Sequence, residues 1–531
     1  MKHLLETKAA EQWKSLGLRH FHGINLALFS LWSENSLGIG EFFDLLGIID
    51  LCEKSSIDII QLLPLNDTGP CKSPYSAVSA FALNPLFLSL QGLEGFDKLD
   101  SEKIEALKKL NHSQFVDYEN VFQIKWPLLK AYARKLQSVQ ESRQYQAFLA
   151  DKPWLESYSL FMTLKEKLGW KCWTKWPKAL RQLGNENYKE LVATNAEEIK
   201  IHQILQFLCF EQLKTVKEYA EKKNVYLKGD IPILLSFDSA DVWYDSFQDT
   251  QIFLRDLSAG APPDMYSKNG QNWGFPLYDW HCLEGTDFAW WKKRLDYASH
   301  FYHLYRIDHI VGFFRIWAIE KNTCATKGFF LPFEEEKYLK QGKKIMEMML
   351  SSCKMLPIGE DLGTVPCAVR SCLKELGICG SKVLRWERKW NEEGQPFIDI
   401  NQYPLESMST VSTHDSEPLG LWWKTQKKEA ESFAKEKGWQ YQEILSKEQC
   451  HAILKDCHQS ASLFHINLLQ EYLYLFDELH WPKIEDERIN IPGKVLKKNW
   501  SYRYRQSVET LKGHKGLQKL FQDLSQKKHG L

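Results

Sequence analysis

The sequence contains no run approaching the roughly 18 to 20 apolar residues that a membrane-spanning helix needs, so no membrane partner is expected. It also carries no net charge: 68 Lys and Arg are matched by 68 Asp and Glu. Without a net field there is no general attraction for nucleic acid, anionic lipid or a polyanionic substrate, and the expected ligand is neutral or small. Cys-x-x-Cys pairs and Cys/His ligand spacings are missing, although there are 12 cysteines, among them Cys52, Cys71, Cys367, Cys372 and Cys379. Scattered in this way they read as reduced thiols of a cytoplasmic protein, and neither metal nor cofactor is expected. The N-terminus lacks the apolar stretch of a secretory signal, having a basic pair and then Glu6 and Glu11. Tandem repeats, low-complexity tracts and linkers rich in Gly, Pro or Ser are absent too.

Aromatic residues are plentiful, at 13% of the chain with 20 Trp. Flat apolar faces suit stacking on sugar rings, while the filling of a large core accounts for most of them. Short apolar runs that read as buried parallel strands recur at 24–31, 57–65, 225–233, 304–308, 355–360, 382–386, 410–415 and 463–469. Segments with helical periodicity separate them, so the fold class expected is α/β, a (β/α)8 TIM barrel. The eighth run is the weakest, because 463–476 also reads as one apolar helix.

The whole chain, 1–531, is expected to form a single catalytic barrel domain. Spacing is uneven, which implies large, mostly helical insertions at the catalytic face: 67–223 after strand 2 and 234–303 after strand 3. Within the first, 101–110, 118–138, 153–168 and 197–222 have helical patterns. The Lys-rich tail, 512–531, is expected to end in a frayed, solvated helix.

Three of the runs end in acid: Tyr305-Arg306-Ile307-Asp308-His309, Pro357-Ile358-Gly359-Glu360-Asp361-Leu362-Gly363 and Val411-Ser412-Thr413-His414-Asp415. Cutting an acetal between sugars needs two carboxyls across the scissile bond, one donating a proton and one attacking or stabilising the cationic carbon. Strand parity places Arg306 and Asp308 on one face with Ile307 on the other. A guanidinium beside Asp308 keeps it ionised, as a nucleophile must be. A proton donor needs the opposite tuning, and burial with neighbouring negative charge would keep Glu360 protonated. Taken singly, each motif equally fits a rim ion pair or a helix cap, and for a cap Asp361 suits better than Glu360. Lys228-Gly229-Asp230-Ile231-Pro232 puts a fourth acid at another strand end, where Asp230 organises Arg306 rather than reacting. Four acids at the same end of four strands, the end where barrel enzymes keep their sites, tip the balance towards catalysis.

Other segments carry a resemblance. Ser73-Pro74-Tyr75-Ser76 with Ser79-Ala80-Phe81 and Asn84-Pro85 forms one motif. Pro262-Pro263-Asp264, Gly270-Gln271-Asn272-Trp273-Gly274 and Pro276-Leu277-Tyr278 form a second. Glu487-Arg488-Ile489-Asn490-Ile491-Pro492-Gly493 and Asn499-Trp500-Ser501-Tyr502-Arg503 form a third. With the acidic strand ends, and beginning at Leu37-Gly38-Ile39-Gly40, they make the chain resemble the 4-α-glucanotransferases (amylomaltase or disproportionating enzyme) of glycoside hydrolase family 77. The resemblance implies a retaining double displacement on maltooligosaccharides and other α-1,4-glucans, with Asp308 as nucleophile, Glu360 as acid and then base, and Asp415 as transition-state stabiliser. It implies carboxyls of Asp308 and Glu360 roughly 5 to 5.5 Å apart. Tyr75 and Trp273 are then expected beside the donor sugar, with Asp230, Arg306 and His414 as support.

Thr413-His414-Asp415-Ser416-Glu417-Pro418 departs from the better-known members. Together with Val383-Leu384-Arg385-Trp386-Glu387-Arg388 it looks like a divergent branch, closer to the cytosolic plant type. That type carries starch-binding modules ahead of the barrel; with about 23 residues before the first strand, none is expected here. Two rival readings use the same residues: an α-amylase-like hydrolase, and a noncatalytic glucan-binding protein.

Overall fold

The computed structural model describes residues 1–263 and 267–526. Asp264 of the second motif and the last five residues of the Lys-rich tail lie outside the described residues.

Eight short parallel strands form one sheet: β1 (Phe21–Leu26), β2 (Ile59–Leu62), β3 (Tyr226–Ile231), β4 (Leu304–Ile307), β5 (Leu356–Gly359), β6 (Gly380–Val383), β7 (Ser407–Thr410) and β8 (Phe464–Leu468). Each is hydrogen-bonded to the next in sequence, and β8 returns to β1 from Phe21↔Phe464 to Asn25↔Leu468. The seam between β5 and β6 is closed by a single parallel bridge, Ile358↔Cys379, and by the Gly359 N–H donating to the Cys379 carbonyl at 2.8 Å. The sheet is a TIM barrel. Its strands are buried along almost their whole length, which is why they read as continuous apolar runs rather than alternating ones. A Cβ at Gly229 would lie 2.5 Å from the Tyr302 ring, so glycine there lets an aromatic lie flat on β3 directly before Asp230.

Most strand boundaries move by a few residues from those expected, and the shifts have local causes. The run 410–415 is not a strand: β7 ends at Thr410, and Val411 N–H donates to the Asn467 side chain at 2.9 Å, Thr413 N–H to Ser416 Oγ at 2.9 Å. Side chains replace the ladder there, and the acidic segment becomes a loop. In front of it, Ser407 and Ser409 are strand residues despite their polarity, because their hydroxyls bond to Ser462 and His465. Residues 384–386 form a helical turn rather than the end of β6. The ambiguous eighth run contains both elements, β8 followed at once by the helix Leu469–Leu473.

Between β2 and β3 stand the helices Ser101–Leu110, Tyr118–Lys135, Arg143–Asp151, Trp154–Lys167, Asn185–Thr194 and Ala196–Lys222. Asp100 and Asp117 start the first two by accepting from the backbone N–H three residues on. A second sheet is new relative to the sequence reading. Its antiparallel strands Gln271–Tyr278, Phe253–Ala261, Ile316–Glu320 and Phe329–Leu331 lie side by side in that order, two from before β4 and two from after it. The described part of the tail is not a solvated helix: Lys515–Ser525 buries Leu517, Leu520, Phe521 and Leu524, with Phe521 edge-on to Tyr472 at 4.9 Å. Among the described residues no helix is long and apolar enough to cross a membrane.

Candidate active site

The carboxyl ends of β3, β4 and β5, with the loop after β7, converge on one guanidinium. Arg306, on β4, donates through Nη1 to both carboxylate oxygens of Asp230 at 2.9 Å and to Asp308 Oδ1 at 2.9 Å, and its Nη2 lies 3.3 Å from Glu360 Oε2. Strand parity thus brings Arg306 and Asp308 together as expected, while Ile307 is buried on the opposite face. Asp230 is fully buried and Arg306 nearly so. The ligand-reachable carboxylates are Asp308 and Glu360, with 23% and 22% of their side chains exposed, and Asp415 with 44%.

The turn after β4 aims a second donor at Glu360. His309 adopts a left-handed backbone, φ +45°, and its N–H donates to Glu360 Oε2 at 2.7 Å. Such a conformation is costly for a non-glycine residue and is held by its surroundings; here the His309 ring meets Trp273 edge-on at 5.1 Å. Trp273 itself lies on the second sheet, half-buried, with its indole N–H donating to Gln271 Oε1 at 3.2 Å. Asp361, the alternative cap, is instead a bracket between strands. It accepts from Ser381 N–H at 2.7 Å and pairs with Arg370 Nε at 3.1 Å.

On the other side Tyr75 links Asp230 to His414, the neighbour of Asp415. Its hydroxyl donates to Asp230 Oδ2 at 2.7 Å and lies 3.0 Å from His414 Nε2, and the two rings stack at 5.5 Å. His414 Nε2 is 3.4 Å from Asp415 Oδ2, and the Asn490 amide donates to Asp415 Oδ1 at 2.6 Å. Trp500 completes the wall, 5.6 Å from Tyr75 and 5.8 Å from His414. Asn490, Trp500 and the His309 backbone were not singled out as site residues from sequence. Asn490 and Trp500 do sit inside the third motif, which was the available signal.

Electrostatics separate the acids. Burial, with the charge of Asp308 adding to it, pushes Glu360 up to about 7, against the pull of Arg306 and the His309 N–H. Burial would also raise Asp415, but His414 and Asn490 outweigh it and bring it down to about 2. Burial and the Asp230 charge hold the Tyr75 phenol far above its ordinary range, so it remains a donor. A Glu360 that keeps its proton towards neutrality, beside an Asp415 that is ionised far below it, is the arrangement that acid-assisted cleavage of an acetal requires.

Comparison with known proteins agrees with this chemistry. The family model described as 4-alpha-glucanotransferase, Glyco_hydro_77, matches residues 26–509. The chain is 44% identical over 520 residues to a 4-alpha-glucanotransferase of Chlamydia pneumoniae, covering 97% of each, and 42% identical over 511 residues to that of Chlamydia caviae, covering 95% of this chain and 94% of the relative. Among solved structures it superposes on the amylomaltase of Streptococcus agalactiae, which was solved with acarbose, at a TM-score of 0.79 and 24% identity. That alignment covers 96% of this chain and 99% of the other and supports the barrel fold. The protein thus belongs to glycoside hydrolase family 77, the 4-α-glucanotransferases, and is an enzyme that transfers α-1,4-glucan segments between glucan chains.

Proposed function

We propose that this transfer runs through a covalent glucosyl-enzyme formed on Asp308. An Asp308 oxygen attacks the anomeric carbon of the donor as its glycosidic C–O bond breaks. Glu360 gives its proton to the departing 4-oxygen, and the donor's remainder leaves as a free 4-hydroxyl. The acceptor's 4-hydroxyl then loses its proton to the Glu360 carboxylate and attacks the same carbon, expelling Asp308. One α-1,4 bond is broken and one is made, with retained configuration. Asp415, ionised across the working pH range, stabilises the cationic carbon between the two steps.

The observation that carries this assignment is the Arg306 guanidinium shared by Asp308 and Glu360. It sets Asp308 and an acid that keeps its proton up to about pH 7 against a single side chain. Asp230 and Tyr75 serve as its buried supports, and His414 keeps Asp415 charged. Trp273 stands where it can flank the donor sugar. In this reading the insertions 67–223 and 234–303 wall the mouth of one catalytic domain and keep water from the intermediate while an acceptor is held. All twelve cysteines are free, which suits a cytoplasmic enzyme.

Incubation with maltotriose, following free glucose and longer oligomers together, tests the scheme. The native enzyme should release glucose and build longer chains, and Asp308→Asn should do neither while keeping a near-native melting temperature. Transfer surviving in Asp308→Asn would remove Asp308 as nucleophile.

A further inference from the structure

An ion network beside Asp415 has no part in the scheme above. Glu417, two residues after Asp415, accepts from Arg385 Nη2 at 2.8 Å and from Arg488 Nη1 at 2.8 Å. Arg488 turns its Nε to the carbonyl of Asn490 at 3.0 Å, and the Asn490 amide is the 2.6 Å donor to Asp415. The contacts close a ring: along the chain from Asp415 to Glu417, across to Arg488, along to Asn490, and back to Asp415. Three segments meet in it, the turn after β6, the loop after β7 and the third motif near the C-terminus.

All three ionic side chains are mostly withdrawn from water, with 7% of Arg385, 16% of Glu417 and 17% of Arg488 exposed. Two cations against one anion, so desolvated, are a poor means of gaining stability, since apolar residues of similar volume do as well or better. The loop is also anchored without them. Glu471 accepts from the Ser412 hydroxyl at one end and from Leu419 N–H, at 3.0 and 3.1 Å, at the other. The Glu471 anchor and the Thr413–Ser416 turn hold the loop's backbone, and the Asn490 amide is the contact that aims Asp415 Oδ1.

We propose that the Arg385–Glu417–Arg488 triad is a positioning device for the reaction, fixing the orientation of Asp415 through Asn490. The inference rests on Asp415 being the stabilising acid. Glu417→Gln keeps the shape and removes the charge that holds both arginines. It should lower kcat for maltotriose about tenfold to a hundredfold with KM changed less than about twofold, and move the acid limb of the kcat profile to higher pH. A residue that only supports the fold would not move that limb. Asn490→Ala should shift the limb the same way and further, and adding Glu417→Gln to it should cost little more, because both act on one contact.

Wild-type kcat and acid limb in Glu417→Gln, or full additivity with Asn490→Ala, would overturn the proposal. Should Glu417→Gln not fold, Arg488→Lys, which keeps the charge but loses the fork, is read by the same profile and the same double variant. Asp415→Asn runs alongside. Full activity there would overturn the Asp415 assignment and this inference with it, whereas an inactive Asp415→Asn beside an unchanged Glu417→Gln overturns the inference alone.

Discussion

Two buried polar layers of this barrel use histidine in opposite ways. At the catalytic rim His414 is nearly fully buried, yet its pKa is raised: burial pulls it down, and the Asp415 and Asp230 carboxylates more than compensate. Between β1, β8 and the helix Lys447–His458, the rings of His20, His22, His458 and His465 cluster, stacked at 5.0 to 5.7 Å with His458 and His465 tilted at 6.2 Å. His458 and His465 are as buried as His414, and burial drives both far below their ordinary value. Neither is bonded to an acid in these contacts: His458 bonds to Tyr472 and His22, and His465 to Ser409 and Ser460. Burial alone therefore does not decide the charge of a histidine; an adjacent acid does. The rim is built to carry charge and the second layer to exclude it.

Perturbing the rim should have the largest consequences. Glu360→Gln removes the proposed proton donor and should cost about 10²–10⁴ in kcat, read from glucose release. In the native enzyme kcat/KM should fall as pH rises past about 7, where Glu360 loses its proton. The same shift appears in stability. A carboxyl whose folded pKa is raised from 4.5 to about 7 contributes stability that is complete below 4.5 and lost as pH climbs through 7. The melting temperature of the native protein should accordingly decline relative to Glu360→Gln across that window.

Asp415→Asn converts the rim towards the neutral layer. Activity should fall about 10²–10³-fold, and the His414 imidazole, followed by NMR titration, should lose its raised pKa. An unmoved His414 would show that Asp230 alone sustains the charge. A smaller effect, about tenfold to a hundredfold on kcat, is expected for Tyr75→Phe, which deletes the hydroxyl that donates to Asp230 and meets His414 Nε2.

The least effect on catalysis belongs to the histidine layer. His458→Phe should leave transfer at 25 °C unchanged and destabilise the fold by about 1–3 kcal/mol at pH 7, read by denaturant unfolding. His458 stays neutral when folded, but the unfolded chain takes up a proton below about 6.5. Native stability is thus lost as pH falls through that value, and the gap between native and variant should narrow on acidification. A gap that widened instead would mean the layer carries charge.

Legibility differed between the two sheets and within the site. The barrel strands were readable because parallel strands covered on both faces are largely apolar, as Ile59, Ile60 and Leu62 are on β2, where the buried Gln61 is satisfied by accepting from Lys228 Nζ at 2.8 Å. The second sheet was not: Gln271–Tyr278 alternates half-buried with exposed residues up to Phe275 and is then buried, and Gly274 and Pro276 interrupt it, so it read as a signature rather than a strand. Asp308 and its partner Arg306 followed from parity. Asn490 did not, because 75 residues separate it from Asp415 and no local pattern announces such a contact. The loop 411–415 was misread as a strand for a similar reason, since Asn467 and Ser416 replace a neighbouring strand as its hydrogen-bond partners.

By itself the sequence determined the chemistry at hand: four acids at the ends of apolar runs, an arginine two residues before one of them, and motifs that match one family from end to end. Those are local properties, set by side-chain alternation and by which residues can end a buried strand. Only the tertiary structure decided the state in which each acid works. Whether a carboxyl sits near 2 or near 7 depends on burial and on charges brought in from distant strands, as His414 and Asn490 are brought to Asp415 and Asp308 to Glu360. Coulomb interactions and desolvation act across space, and sequence order does not encode those distances.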